Sequence, residues 1–170
     1  MNLPNKLTIL RVLLIPVFIV LLMNGYYYWS GIVFLLASFT DMLDGQIARK
    51  YNLITNFGKI MDPLADKLLV TSALICLVEL GEIAGWMVII ILAREFIITG
   101  LRAVAAGEGI IIAAGKSGKL KTILQMTALT VILLRDWPFA LFTDFLWAAV
   151  IMTVYSGIEY IVKNKQVFLS

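Results

Sequence analysis

Long apolar stretches, each interrupted by only a few charged residues, cover most of the chain. Six of them approach the roughly 20 residues that a helix needs to cross a bilayer, and short polar connections separate them. The pattern predicts helices over residues 5–23, 29–48, 61–80, 84–106, 118–134 and 142–162. We therefore expect an all-α integral membrane protein with six transmembrane helices, in which residues 1–170 form a single domain.

Basic residues collect at one end of the predicted helices, and aromatic residues at the other. The basic end carries Lys6, Arg49, Lys50, Lys59, Lys116, Lys119, Lys121, Lys163 and Lys165. The opposite end carries Arg135 and the aromatic residues Tyr26, Tyr27, Tyr28, Trp29, Trp86 and Trp137. Because cytoplasmic loops of membrane proteins are rich in lysine and arginine, we expect a multi-pass protein of the cell membrane with both termini in the cytoplasm.

The composition agrees with a membrane protein and excludes several kinds of chemistry. Hydrophobic residues make up 61% of the chain and charged residues only 15%. The chain has no histidine, which excludes histidine acid–base catalysis and most zinc chemistry. A general base in this protein must therefore be a carboxylate, a lysine, a tyrosine or water. The single cysteine, Cys76, excludes a disulfide within the chain.

Four aspartates lie at the basic end of the second and third predicted helices. Asp41 and Asp44 are three residues apart and Asp62 and Asp66 four apart, so each pair lies on one helix face. Carboxylates this close repel each other, and in a membrane they are costly unless cations compensate them. Divalent cations that prefer oxygen ligands are the natural partners, and the sequence does not distinguish Mg²⁺ from Mn²⁺. The plain structural alternative is a solvated acidic cluster at the membrane edge.

The aspartates belong to a longer frame, D-x2-D-G-x2-A-R-x8-G-x3-D-x3-D, and every fixed position and spacing of it is present. This frame resembles the signature of the CDP-alcohol phosphotransferase (phosphatidyltransferase) family, whose six-helix fold and cytoplasm-facing site agree with the predicted topology. The resemblance covers essentially the whole chain. Its fixed positions here are Asp41, Asp44, Gly45, Ala48, Arg49, Gly58, Asp62 and Asp66.

The resemblance implies a role for each of these positions. Asp41, Asp44 and Asp62 are expected to hold one divalent cation, and Asp41, Asp62 and Asp66 a second. Asp66 is also expected to take the proton from the acceptor hydroxyl while CMP leaves. The CDP-linked donor is expected to contact Gly45, Ala48, Arg49 and Gly58, together with Asn5 and Thr8 on the first helix. Asn5, Thr8 and Arg11 recur every three residues, and helix capping and snorkelling remain alternative explanations for them.

The acceptor alcohol is predicted from basic residues farther along the chain. Arg102 on the fourth helix and Lys119 and Lys121 at the start of the fifth suit a phosphate group. Arg94 either joins them or forms an internal pair with Glu95 or Asp144. The segment 115–122 is not a P-loop, because Ile110 stands where its first glycine is required and no strand precedes it.

A phosphorylated acceptor favours the branch of the family that transfers phosphatidyl from CDP-diacylglycerol to glycerol 3-phosphate. The stretches at residues 2–8 and 93–96 resemble that branch. Inositol phosphate or phosphatidylglycerol as acceptor remain alternatives, and a cation transporter is the alternative outside the family. The resemblance further implies a homodimer within membrane lipid and no nucleic-acid partner.

Overall fold

A computed structural model of the chain describes residues 2–50, 55–107, 109, 110, 112, 115–134 and 142–165. At residues 3, 42, 44–46, 48–50, 56, 57, 59, 60, 142 and 143 it describes the backbone alone. The described residues form six helices and no strand, which confirms an all-α fold. The helices are α1 Leu3–Met23, α2 Tyr27–Lys50, α3 Asn56–Glu79, α4 Gly85–Gly107, α5 Lys116–Leu133 and α6 Phe142–Lys163.

The predicted bounds agree with these helices to within a few residues, except at the start of α3. The prediction began this helix at residue 61, whereas it begins at Asn56, so that Gly58 lies within its first turn. Thr55 caps the helix, because its hydroxyl oxygen accepts a hydrogen bond from the Gly58 N–H at 3.0 Å. Pro63 lies inside α3, where it provides no N–H for the turn before it.

The described residues divide into two compact units. The first comprises Met1–Ile83 with Ile132–Pro138, and so contains α1, α2, α3 and the last residues of α5. The second comprises Ala84–Val131 with Phe139–Ser170, and contains α4, most of α5 and α6.

The first unit is built around α1, which packs against both α2 and α3. Its core includes the rings of Phe18 and Phe34, whose centroids are 5.8 Å apart. Gly25 has a φ of +81° in the turn after α1, a conformation that glycine adopts without strain. The Tyr26 N–H closes this turn on the Leu21 carbonyl at 3.0 Å. The turn reverses the chain, so the C-terminal end of α2 returns to the N-terminal end of α1.

The second unit is held together by contacts of α4 with α6 and with the start of α5. Ile98, Leu101 and Tyr160 form a buried cluster, against which Ile112 packs. At the other end of α4, the rings of Trp86 and Trp147 are 5.4 Å apart.

Two of the described helices are long and apolar enough to cross a membrane, over Pro4–Met23 and Asp144–Lys163. Helix α4 carries three charged residues within its length, Arg94, Glu95 and Arg102. The six-span arrangement and the cytoplasmic side of the termini stay predictions.

Candidate active site

Two aspartates of the frame, Asp41 and Asp62, meet where the C-terminal end of α2 lies near the first turns of α3. Asp41 and Asp62 are close enough for each carboxylate to act electrostatically on the other. Asp66 follows Asp62 by one helical turn and so lies on the same face of α3. We refer to Asp41, Asp62 and Asp66 as the acidic site.

Part of the predicted frame lies outside what the structure describes. The side chains of Asp44, Gly45, Ala48 and Arg49 are among the residues known here by backbone alone. Among the described side chains, no three potential ligands already form a metal-binding group. The structure therefore brings Asp41 and Asp62 together, while the position of the Asp44 carboxylate stays a prediction.

A buried arginine of α1 pairs with the acidic site. The Arg11 Nη1 atom is 2.7 Å from Asp41 Oδ1, and its side chain is 0% exposed against 38% for Asp41. The Arg11 Nε also donates to the Ala37 carbonyl at 3.3 Å, which ties the guanidinium to α2. Arg11 therefore supplies a fixed positive charge beside two carboxylates that repel each other.

A buried threonine of α1 contacts the second carboxylate. The Thr8 hydroxyl donates to Asp62 Oδ1 at 2.6 Å. The same Oγ1 atom is 3.1 Å from the Pro4 carbonyl, one turn earlier in α1. Thr8 is completely buried. Its hydroxyl thus links α1 to the acidic face of α3.

The cap of α3 completes this arrangement. The Thr55 hydroxyl donates to Asn5 Oδ1 at 2.9 Å, which joins the start of α1 to the start of α3. Gly58 lies against the same groups, because a Cβ atom added there would be 3.3 Å from Asp62 Oδ2 and 3.5 Å from Asn5 Oδ1. Glycine at residue 58 therefore leaves room beside the second oxygen of Asp62.

The polar residues at every third position of α1 share one buried edge, as their spacing predicted. Asn5, Thr8 and Arg11 are all buried, so they do not reach out to an interface as snorkelling side chains do.

The sequence interpretation missed Thr55. A threonine three residues before a helix glycine is a recognisable capping signal, but it was overlooked because the helix was expected to start later.

A second polar site lies within the second unit. Its pocket has a volume of about 30 Å³, is partly open to solvent and is lined by three cationic side chains, Arg94, Arg102 and Lys163. We refer to it as the cationic pocket. The start of α5 forms one wall, and the remaining lining residues are Gly115, Ser117, Gly118, Ser156, Glu159 and Tyr160.

Two of the predicted acceptor-binding residues meet in this pocket. Arg102 Nε donates to the Tyr160 hydroxyl at 3.0 Å, and its guanidinium carbon is 5.3 Å from the ring centre. Arg94 lies against Gly118 and Gly157, where an added Cβ would be 3.3 Å from Nη2 and 3.2 Å from Cγ respectively.

Arg94 also pairs with Glu95, with Nη1 3.4 Å from Oε1. This is one of the two internal pairings considered from the sequence. Its Nε atom is buried and has no hydrogen-bond partner among the described residues. Arg94 thus combines a structural contact with a place on the pocket wall.

The two predicted lysines of α5 lie elsewhere. Lys121 is only 2% exposed and pairs with Glu95, while the side chain of Lys119 is exposed and does not line the pocket. Lys163 lines it instead, paired with Glu159. The sequence interpretation assigned Lys163 only to the basic end of the helices. Because Glu159 is the one acidic residue lining the pocket, the cations outnumber the carboxylates there.

The sequence was compared with known protein families and with curated proteins. The sequence model of the CDP-alcohol phosphatidyltransferase family matches residues 1–155. A CDP-diacylglycerol–glycerol-3-phosphate 3-phosphatidyltransferase of Bacillus subtilis is 47% identical, over 96% of this chain and 95% of the relative. The enzyme of the same name from Rickettsia typhi is 42% identical, over 98% and 99%. A probable phosphatidylglycerophosphate synthase of Mycobacterium tuberculosis is 38% identical, over 95% and 81%.

Proposed function

We propose a function that proceeds from the family of the chain, which belongs to the CDP-alcohol phosphatidyltransferases. In this proposal the protein transfers the phosphatidyl group of CDP-diacylglycerol to sn-glycerol 3-phosphate. The products are phosphatidylglycerophosphate and CMP, and the reaction serves the synthesis of anionic phospholipids. The observation that carries the proposal is the likeness, over nearly the whole chain, to relatives named for this reaction.

The chemistry requires charge compensation and a base. The acceptor hydroxyl oxygen forms a bond to the phosphorus that bears the diacylglycerol. The bond from that phosphorus to the bridging oxygen breaks, and CMP leaves with the electron pair. We assign the hydroxyl proton to the Asp66 carboxylate, because a chain without histidine needs another base and Asp66 shares a helix face with Asp62.

The frame is assigned to divalent cations, Mg²⁺ or Mn²⁺. We place one with Asp41, Asp44 and Asp62 and a second with Asp41, Asp62 and Asp66. When bound, such cations neutralise charge on a diphosphate as its bond breaks. The described residues fit this role in two respects. Carboxylate oxygens are the ligands that these cations prefer, and the absence of a side chain at Gly58 leaves room beside Asp62 Oδ2.

The CDP-linked donor is assigned to the residues around the acidic site. The close approach of both Asn5 Oδ1 and Asp62 Oδ2 to Gly58 supports the place of Gly58 and Asn5 in this group. Arg49 is assigned to a donor phosphate through its guanidinium. The other expected members are Gly45 and Ala48, while the hydroxyl of Thr8, which the resemblance also places in this group, donates to Asp62.

The phosphate of the acceptor is assigned to the cationic pocket. The excess of positive charge there, together with Ser117 and the free N–H groups at the start of α5, suits a phosphate anion. Arg94 and Arg102 are its proposed ligands, and Lys163 adds charge. Of the two lysines that the sequence also favoured, Lys119 contributes positive charge at the same end of α5, whereas the charge of Lys121 is paired with Glu95.

The setting of the reaction follows from the family and from the apolar surface. We propose six membrane-spanning helices with both termini and the active site on the cytoplasmic side of the cell membrane. Exposed apolar residues along one face of α1, such as Leu13, Val17 and Val20, suit contact with lipid. A homodimer is proposed from the family resemblance alone.

The proposal is tested by CMP release from purified protein in detergent. The assay contains CDP-diacylglycerol, Mg²⁺ or Mn²⁺, and one acceptor at a time from glycerol 3-phosphate, inositol 3-phosphate, inositol, serine and phosphatidylglycerol. Release with glycerol 3-phosphate alone is expected. Release with a different acceptor would overturn the acceptor assignment, and no release from folded protein would overturn the proposed reaction.

A further inference from the structure

We propose that Thr8 is a positioning residue for the acidic site: its hydroxyl holds Asp62 Oδ1 and leaves Oδ2 as the oxygen that binds a divalent cation. This inference rests on the proposed function, since it concerns the same site. In this proposal Thr8 acts through Asp62 and does not contact the donor directly.

The two oxygens of Asp62 have different surroundings. Oδ1 is 2.6 Å from the Thr8 hydroxyl on α1. Oδ2 lies on the side of Gly58, 3.3 Å from where a Cβ would stand. A carboxylate held through one oxygen cannot rotate freely about its Cβ–Cγ bond. The hydroxyl therefore determines which oxygen is presented to a ligand.

Burial of Thr8 favours this role over contact with the donor. The side chain is completely buried, so a donor that enters from outside the unit does not reach its hydroxyl in this arrangement. Threonine is β-branched: its Cβ atom carries a methyl group beside the hydroxyl, and this restricts rotation about the Cα–Cβ bond. The Pro4 carbonyl, 3.1 Å from Oγ1, restricts it further. Thr8 is thus fixed before any ligand binds.

The effect of removing such a contact on metal binding is measurable. Groups that orient metal ligands typically change metal affinity by about 10- to 100-fold when they are mutated. Thr8→Val keeps the shape and removes the hydroxyl, and we expect it to weaken Mn²⁺ binding by about 10-fold. Thr8→Ser restores the hydroxyl and should restore most of the affinity.

Thr130 provides a matched control. Its hydroxyl donates to the Met126 carbonyl at 2.8 Å, and this carbonyl belongs to the fourth residue before it, as does the Pro4 carbonyl that lies 3.1 Å from Thr8 Oγ1. Thr130→Val therefore removes a helix hydroxyl and its backbone contact, in a side chain that forms no hydrogen bond to a carboxylate of the described residues. We expect Mn²⁺ affinity and CMP release to remain at the wild-type level in this variant.

Mn²⁺ binding to the purified full-length protein is measured from the electron paramagnetic resonance signal of free Mn²⁺, without substrates. CMP release then gives the Mn²⁺ concentration for half-maximal activity and the KM for CDP-diacylglycerol. The proposal expects Thr8→Val to raise the Mn²⁺ dissociation constant and the half-activating concentration together. It expects a smaller change in the KM for CDP-diacylglycerol.

Several results would overturn the proposal. Unchanged Mn²⁺ affinity with a raised KM for CDP-diacylglycerol would make Thr8 a donor contact. Equal losses in Thr8→Val and Thr8→Ser would exclude the hydroxyl as the cause. If Thr8→Val does not fold, Thr8→Ala replaces it, and misfolding of both would make Thr8 a purely structural residue.

The two proposals fail in different ways. Wild-type protein that binds Mn²⁺ but releases no CMP would overturn the proposed reaction, while the comparison of the Thr8 variants would still stand. Wild-type protein that releases CMP but binds no Mn²⁺ would overturn the positioning role alone.

Discussion

Replacing Arg11 by methionine should make the folded protein depend on a divalent cation for its stability. The guanidinium of Arg11 places a positive charge beside Asp41, and the Arg11 side chain is completely buried. Methionine is similar in length and remains compatible with the helix. The substitution leaves the Asp41 carboxylate without the guanidinium and still close to Asp62.

The magnitude follows from the geometry of the pair. With Nη1 2.7 Å from Oδ1, the charge centres are about 4 Å apart, which corresponds to about 4 kcal/mol at an effective dielectric constant of about 20. Asp41 is 38% exposed, so water screens the pair and can solvate the carboxylate that remains. We therefore expect a loss of about 2 kcal/mol, below the range of about 3–5 kcal/mol for breaking a fully buried pair.

Thermal unfolding in detergent, with EDTA or with Mn²⁺, measures this loss. For a chain of this length, about 2 kcal/mol corresponds to a decrease in Tm of about 4–8 °C in EDTA. Mn²⁺ should raise the Tm of Arg11→Met more than that of the wild type, because a bound cation compensates the exposed carboxylates. Lys6→Met, which removes an exposed lysine from the same helix, should match the wild type in both conditions.

A double-mutant cycle separates the ion pair from general packing. Asp41→Asn removes the carboxylate, so the double variant Arg11→Met with Asp41→Asn should be less destabilised than the sum of the two single variants. Additive losses, together with equal Mn²⁺ effects on Tm in wild type and Arg11→Met, would refute the reasoning.

Three further predictions concern the reaction. Asp66→Asn should abolish CMP release while donor binding persists, because an amide cannot take the hydroxyl proton; turnover close to wild type would remove Asp66 as the base. Arg102→Ala and Lys119→Ala should raise the KM for glycerol 3-phosphate more than the KM for CDP-diacylglycerol. The effect of Arg102→Ala should be the larger, because of these two residues Arg102 lines the pocket and Lys119 does not. An unchanged KM for glycerol 3-phosphate in both variants would contradict the phosphate assignment. Gly58→Ala should reduce CMP release and Mn²⁺ affinity, since its Cβ would lie 3.3 Å from Asp62 Oδ2; a fully active variant would show that the space beside Oδ2 is not needed.

The periodic features of the sequence predicted the fold well. Apolar stretches gave the six helices, and the spacing of Asn5, Thr8 and Arg11 correctly placed three polar side chains on one edge. The start of α3 was wrong because the apolar pattern begins only after the polar first turn. That turn is fixed by Thr55 and its contact with Asn5, which lies 50 residues away in the chain. A contact between residues so far apart in the chain cannot be predicted from the local pattern of apolar and polar residues.

The basic residues show that the sign of a charge does not by itself identify which residue can bind a phosphate. The sequence grouped Lys121 and Arg102 as candidate ligands of the same phosphate, since both are cations, Arg102 near the end of α4 and Lys121 near the start of α5. Burial separates them: Lys121 is enclosed with Glu95, whereas Arg102 is exposed at the cationic pocket. A buried cation held by a carboxylate has its charge compensated within the protein, and its removal leaves an unpaired acid. A cation on a pocket wall where positive charge is in excess keeps an attraction for an incoming anion. The same distinction applies within the first unit, where Arg11 is the enclosed cation and the neighbouring carboxylates are the groups proposed to bind a ligand.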